Sequence, residues 1–299
     1  MHIQIFAMGR KETKAMKNAE IIDAAKTYLL TRIENGLCLE FHQLRHGPSL
    51  AWTTACVGST LAEFQVVLPA MIEALLSQQW DNGGWSYNQN FVSADADSTL
   101  RVIQFLGKAG FHDQKVIDRA ERFVISHQQA DGGIATYLPK ALATMGYSSG
   151  AWTTSHPCVT ALAASILQNQ SARNKAKHYI TDRLKKGDAR AYWWQTPWYV
   201  RYESGWPNGE NIGNDPVELG LALLLKAKFG KTDKELMARL LKLQLGDGSF
   251  LSSRQFRIPR PNQFLDDITE QTEVVEDRAR IFSTAAAVVA ISRQEALLN

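Results

Sequence analysis

Two kinds of apolar segment alternate along this chain. The first opens on small or hydroxyl residues and then runs apolar on nearly every face. Examples are "SLAWTTACVGSTLAEF" (Ser49 to Phe64), "SADADSTLRVIQFL" (Ser93 to Leu106), "TSHPCVTALAASIL" (Thr154 to Leu167), "GNDPVELGLALLL" (Gly213 to Leu225) and "DRARIFSTAAAVVAI" (Asp277 to Ile291). Helices apolar all round belong in an interior. Aligning Thr60, Thr99, Thr160, Leu219 and Thr284 gives spacings of 39, 61, 59 and 65 residues, the mark of an internal repeat. The second kind keeps one charged face and repeats its apolar positions at helical spacing: "IIDAAKTYLLTRI", "LPAMIEALLSQQ", "KVIDRAERFVISHQQ", "NKAKHYITDRLKK" and "KELMARLLKLQL". This alternation predicts an all-α protein, an α/α toroid (barrel) of five to six helical hairpins with buried helices inside and amphipathic ones outside. Five pairs can be counted; a sixth is irregular or comes from the N-terminal residues. Nothing reads as an extended sheet, and no Pro-, Gly- or Ser-rich linker divides the chain. The expected organisation is an N-terminal extension over 1–20 and one domain over 21–299.

Three outer segments end in related turns. Leu75 precedes Gln79, Gly83 and Trp85 by the same steps that Leu240 precedes Gln244, Gly248 and Phe250, and Gln128 and Gly132 form a looser copy with Ile134 in the aromatic place. A glycine at positive φ ends each helix, a glutamine amide bonds backbone groups freed by the turn, and an aromatic ring packs over the junction. The expected role of these residues is structural.

The pattern leucine, then Gln-x-x-x-Gly-x-Trp, resembles the QW repeat of the squalene–hopene cyclase and class II terpene cyclase superfamily, whose toroid protein prenyltransferase β-subunits share. Asp95-Ala96-Asp97-Ser98-Thr99 is similar to that family's Asp-x-Asp-Asp-Thr motif, with Ser98 in place of the third aspartate. The resemblance runs from about Ile21 to Ile291. It implies protonation of an alkene or epoxide and cyclisation of a polyene through a carbocation, as in isoprenoid and secondary metabolism. Asp97 matches the general acid and Asp95 the first aspartate. The family's cavity usually lies between two barrels, so the resemblance also implies a homodimer or a second barrel as partner, or one barrel holding a smaller substrate.

The residues carry their own argument. Asp and Ser are favoured helix caps, and Asp95, His156 and Asp215 each lie four residues before the aligned position, so all three are expected on one rim. Capping accounts for Asp95 and Asp215 but does not require Asp97. A carboxylate in the first turn is stabilised by the helix dipole; to act as an acid it must be desolvated or crowded by Asp95. His156, aligned with Asp95 on the neighbouring inner helix, is expected to hydrogen-bond the acid, and His46 to reach the same rim. "AYWWQTPWYVRYESGW" holds four of the chain's eight tryptophans. Trp193, Trp194, Trp198 and Tyr199, with Trp152, are expected to line a cavity where ring faces stabilise cations. The rival for this stretch is a loop that plugs the toroid. Trp85 and Tyr87 are further candidates, although Trp85 belongs to its turn.

Composition narrows the classes. The 299 residues are 45% hydrophobic and 21% charged with a net charge of +3, which makes nucleic acid no implied partner. Three scattered cysteines without CxxC exclude a disulfide framework or zinc ribbon, and a reduced, cytoplasmic setting is expected. Asp266-Asp267-Ile268-Thr269-Glu270 has the outline of a magnesium motif, but no second one accompanies it, and the acidic run from Asp266 to Asp277 is expected to be a solvated face. No metal site and no redox cofactor are expected. The partner is a small hydrophobic substrate, with a prenyl diphosphate among the choices. Two rivals stay open: an α/α-barrel glycosidase or lyase using paired carboxylates, and a non-catalytic barrel that binds a prenyl chain or a partner protein.

Overall fold

A computed structural model describes residues 18–298, apart from 44, 91, 149, 208 and 210. Twelve α-helices follow one another among them: α1 (Asn18–Leu30), α2 (Ala51–Glu63), α3 (Pro69–Leu76), α4 (Ala96–Lys108), α5 (Gln114–Ile125), α6 (Pro139–Thr144), α7 (Pro157–Ile166), α8 (Gln170–Lys185), α9 (Trp198–Ser204), α10 (Pro216–Lys228), α11 (Lys234–Leu241) and α12 (Ile281–Ala296). Most of the expected 1–20 extension lies outside the described residues, and Asn18 to Glu20 open α1. No helix among the described residues is long and apolar enough to cross a membrane.

The helices form two concentric rings. Inside, α2 packs on α4, α4 on α7, α7 on α9, α9 on α10, α10 on α12, and α12 returns to α2. Outside, α3 covers α2, α5 covers α4, α8 covers α7, α11 covers α10, and α1 covers α12. The irregular sixth unit is therefore α9, drawn from the tryptophan-rich stretch. Small residues let inner helices approach closely. A Cβ on Gly58 of α2 would fall 2.5 Å from the Phe105 ring of α4, and one on Gly220 of α10 would lie 3.1 Å from the Ala286 carbonyl of α12.

Each glutamine turn ties two outer helices together. The Gln79, Gln128 and Gln244 amides donate to the carbonyls of Gly83, Gly132 and Gly248. The same amides reach Val116, Ala172 and Ile21, at the start of the next outer helix. Gly83, Gly132 and Gly248 have φ of 93°, 88° and 88°. A Cβ there would sit 2.6, 2.6 and 2.4 Å from the carbonyl oxygens of Arg119, Lys175 and Ala24. A fourth turn, unmarked by glutamine, uses Gly36 (φ 77°) against Ala70.

Four threonines then hang these turns on the inner ring. The N–H groups of Cys38, Trp85, Ile134 and Phe250 donate to Oγ1 of Thr54, Thr99, Thr160 and Thr284, at 2.9, 2.9, 2.8 and 3.1 Å. In α2 the equivalent residue is thus Thr54, not Thr60. The sequence holds hydroxyls at both places, and only the bond to the turn tells them apart.

Two antiparallel hairpins depart from the expected absence of sheet: β1 (Glu40–Gln43) with β2 (Gly47–Ser49), and β3 (Phe256–Ile258) with β4 (Glu273–Val275). The acidic run also divides. Asp266 is exposed, but Asp277 is fully buried. It accepts from Ser253 N–H and from both N–H and Oγ of Ser283 (N–H at 2.7 Å). Glu40 accepts from Ala279 and Ile281 N–H. These two carboxyls cap α12, whose own N-cap, Arg280, has φ 54° and gives no side-chain cap.

The turn glycines supply a stability test. Gly132→Ala meets both a left-handed backbone and the Lys175 carbonyl, whereas Gly110 has φ 70° with open space around it. Gly110→Ala should lose only the conformational cost, about 1–2 kcal/mol. Gly132→Ala should lose about 1–3 kcal/mol more through the clash. Urea unfolding of the two variants measures the difference, and equal losses would mean the turn is not seated on α8.

Candidate active site

The inner helices α4, α7, α10 and α12 present their N-termini to one end of the toroid. Asp95, His156 and Asp215 are the N-cap residues of α4, α7 and α10, as expected. At that end, beside the start of α4, lies a cavity of about 50 Å³ that is partly open to solvent. Aromatic side chains from several elements wall it: Trp52, Tyr137, Trp152, Trp193 and Trp194. The two hairpins form its roof through Phe41, Gln43, His46, Phe256 and Ile258.

Asp95 and Asp97 both reach this cavity and are equipped differently. Asp95 is buried and saturated. It accepts from Ser98 N–H at 2.7 Å, Ser98 Oγ–H at 2.9 Å and Tyr87 N–H at 2.8 Å. Ser98, where the related motif has a third aspartate, is therefore a hydrogen-bond donor to the first. Asp97 is half-buried, and its Oδ1 is shielded from water with no hydrogen-bond partner. Burial is the largest cause raising both carboxyls above their ordinary range. For Asp95 the neighbouring Asp97 charge raises it further. Asp97 is lifted to about 6, with the Arg101 charge and the Trp52 indole pulling the other way. Three donors favour the charged form of Asp95. Burial outweighs them and lifts Asp95 to about 7, so the two carboxyls titrate as a pair, and Asp97 is the member that stands unbonded beside the open space.

Arg101, one helical turn beyond Asp97, lies behind the cavity and lines a separate hollow with Tyr199, Tyr202 and Glu203. Its guanidinium donates to Glu203 at 2.7 Å and to the Tyr199 hydroxyl, and it lies 5.4 Å from the Trp52 ring centre and 5.2 Å from that of Tyr199. Arg101 and Glu203 are both buried. Sequence reasoning passed over this pair, as it did Trp52 and Tyr137. The available signal was the four-residue step from Asp97 to a lone arginine in an apolar helix, a spacing that puts both on one face.

Three of the five rings expected to line the cavity do so: Trp152, Trp193 and Trp194. Trp198 and Tyr199 do not. They begin α9, and the helical turn carries them off the cavity surface. Trp198 packs near Arg201 and Gly209. Tyr199 stacks behind Trp194, with ring centres 4.8 Å apart, and its hydroxyl serves Arg101. Tyr87 and His46 line the cavity, while Trp85 stays with its turn and donates from Nε1 to Leu75 O at 2.6 Å.

His156 lies elsewhere than expected. It is fully buried and stacked on Tyr192, with ring centres 3.9 Å apart. Its nitrogens face Thr136 Oγ1 at 2.6 Å and the Ala151 carbonyl at 2.9 Å, so neither is left to bond Asp97. Burial holds the imidazole neutral, down at about 3. Among the described residues, no group of three or more His, Cys, Asp or Glu side chains is placed to hold a metal ion.

With this geometry in place, similarity to known proteins can be weighed. No family model matches the chain. Drimenyl diphosphate synthase of Streptantibioticus cattleyicolor is 32% identical over 69 residues, which are 23% of this chain and only 13% of that protein's length. Two solved structures match nearly throughout. A protein from Actinoplanes is 24% identical with a TM-score of 0.79, covering 93% of this chain and all of its own. A variant of the type II terpene cyclase MstE from Scytonema is 23% identical with a TM-score of 0.77, covering 94% of this chain and 97% of its own. At such identities the likeness establishes the fold. The chain is a single-barrel α/α toroid of the kind found in type II terpene cyclases.

The buried acid makes stability depend on pH. Asp97 holds its proton more tightly in the folded state, at about 6 against an ordinary value of 3.8. Its contribution to stability is complete below about pH 4 and is lost as pH rises through about 6. Asp97→Asn removes that titration. Its thermal midpoint should fall less than the wild type's between pH 4 and pH 7 in scanning calorimetry at fixed ionic strength. Parallel pH profiles would place the Asp97 carboxyl in water.

Proposed function

We propose that this protein is a protonation-initiated cyclase of an isoprenoid or related alkene, with Asp97 as general acid. The observation that carries the reading is the unpartnered, water-shielded Asp97 Oδ1 at the edge of a cavity walled by tryptophans. An acid that must protonate carbon needs its proton held beside substrate and unshared with water or protein acceptors. Asp95, fixed by three donors, is held one residue away on the same helical turn. In the reaction, the π electrons of an alkene take the Asp97 proton, leaving the more substituted carbon cationic and Asp97 ionised. The next double bond of the chain attacks that carbon, closing a ring and moving the charge to its own more substituted carbon; loss of a proton from the adjacent carbon gives a cyclic isomer and balances the proton that Asp97 gave. Arg101 lies near enough to favour the carboxylate left behind.

The wall suits the intermediate. A desolvated ring face stabilises a cation by ~1–2 kcal/mol without offering a nucleophile that would trap it. The fold likeness and the short match to a terpene synthase support the same class. MstE has been solved with geranylgeranyl dihydroxybenzoate as its substrate, and drimenyl diphosphate names a second prenyl compound. Both join a hydrocarbon tail to an acidic head. The cavity shares Gln43, His46, Trp152 and Ile258 with a neighbouring, more polar hollow lined also by Arg45, Arg260 and Glu273. A prenyl diphosphate or a prenylated acid would seat its head there and its tail against the rings. A sugar-cleaving reading has less support, because Asp95 and Asp97 stand on one turn of one helix and Asp95 has no oxygen free for a second role.

The test is direct. Purified wild type and Asp97→Asn are incubated with geranyl, farnesyl and geranylgeranyl diphosphate, their phosphate-free alcohols and a geranylgeranylated hydroxybenzoate. Products are separated and weighed by chromatography with mass spectrometry. One substrate should give an isomeric, cyclised product, with at least about a hundredfold less from the variant, the scale of general acid catalysis. Equal product from both proteins would remove Asp97 from the chemistry.

A further inference from the structure

Thr136 joins the acid-bearing helix to the aromatic wall. Its carbonyl accepts the Ala96 N–H at 3.0 Å, and Ala96 lies between Asp95 and Asp97. Its hydroxyl oxygen accepts the Trp193 Nε1–H at 2.8 Å. One residue therefore ties Trp193 to the acid-bearing turn. Both ends of this link are buried.

His156 fixes the hydroxyl. The Ala151 carbonyl can only accept, so His156 Nε2 carries the hydrogen and Nδ1 is an acceptor. The Thr136 hydroxyl must then donate to Nδ1, which leaves its lone pairs for Trp193. Every donor in the chain Trp193 to Thr136 to His156 to Ala151 has one acceptor, and no alternative arrangement satisfies all four. The far end matters as well. Ala151 opens the short 3-10 turn Ala151–Thr153 that carries Trp152, and Trp152 donates from Nε1 to Pro259 O, beside the β3 hairpin. His156 thus holds two wall rings and touches neither carboxyl.

We propose that Thr136 and His156 form a positioning relay that sets the Trp193 and Trp152 rings relative to Asp97. They thereby decide where along the substrate the cation rests before it is quenched. The role rests on the cyclase reading and concerns the choice of product, not initiation. His156 is a positioning residue, and a second N–H would take from the Thr136 hydroxyl hydrogen the acceptor that fixes its direction.

Two measurements test it together. The first needs no turnover. In ¹⁵N-labelled protein, the Trp193 indole N–H should exchange slowly in wild type and in Thr136→Ser, and faster in Thr136→Val. The His156 ring should show the Nε2–H tautomer in wild type. The second uses the substrate found for the wild type. Thr136→Val and His156→Phe should shift the ratio of products by about fivefold, the worth of one buried hydrogen bond, with consumption within about threefold of wild type. Thr136→Ser should keep the wild-type ratio. Circular dichroism confirms that each variant is folded, and the isosteric valine covers the case in which His156→Phe is not. An unchanged ratio in Thr136→Val overturns the proposal, as does a collapse of consumption at constant ratio, which would return the relay to the acid. If wild type turns over nothing, the cyclase reading fails and takes this role with it, while the exchange data still report whether the hydrogen-bond chain exists.

Discussion

The contact on which this toroid depends is the seating of a side-chain-free residue against the next outer helix. Gly36, Gly83, Gly132 and Gly248 each bring backbone within reach of a carbonyl oxygen that a Cβ would overlap. Three glutamines hold the turn in that position from the other side. The last of these contacts joins Gln244 to Ile21, bringing the end of the chain back to its beginning and closing the ring. Because each turn also bonds a threonine of an inner helix, the inner helices inherit the outer ring's register. That shared register is why α4, α7 and α10 start at the same end.

Gathering helix N-termini at one end of the toroid sets up an electrostatic conflict. Dipoles and free N–H groups favour carboxylates there, and the caps Asp95, Asp215, Glu40 and Asp277 use that preference. An acid at the same rim has to escape it. Asp97 does so by placement: it sits inside the first turn, beyond the reach of the N–H groups that Asp95 takes, and against rings that exclude water. Burial then outweighs the dipole and the Arg101 charge, and the group rises to about 6. The two carboxyls are neighbours in sequence and burial raises both, but one is bonded and the other is not.

Periodicity made the rings legible, since apolar-all-round and one-faced segments record which helices touch two neighbours and which touch water. The turns were legible where a glutamine and an aromatic marked them. The turn at Gly36 escaped notice because Arg32 and Cys38 stand at the marked positions, and backbone geometry alone defines it. Asp95 and Asp97 could be separated by asking what a cap needs. The identity of their surroundings could not. His156 shares a repeat position with Asp95, but position on a rim does not fix the direction of a ring, and the lone pair it offers is taken by Thr136, a residue in no motif. The hairpins were missed for a related reason. Their strands are three or four residues long, too short to show an alternation.

The departure from the repeat coincides with the site. Between α8 and α10 no glutamine turn occurs; the chain instead runs inward through Trp193 and Trp194 and supplies α9 as the sixth inner member. A sixth regular helix would have continued the apolar lining of its neighbours. The irregular segment inserts flat, rigid rings at the rim and, from α9, Glu203 against Arg101 behind the cavity. This segment is held to α4 through Thr136 and by the Arg101–Glu203 pair. A repeat explains stability, because each unit covers the next. Where the repeat stops, Trp193 and Trp194 join Trp52 and Asp97 of the regular inner helices around one cavity.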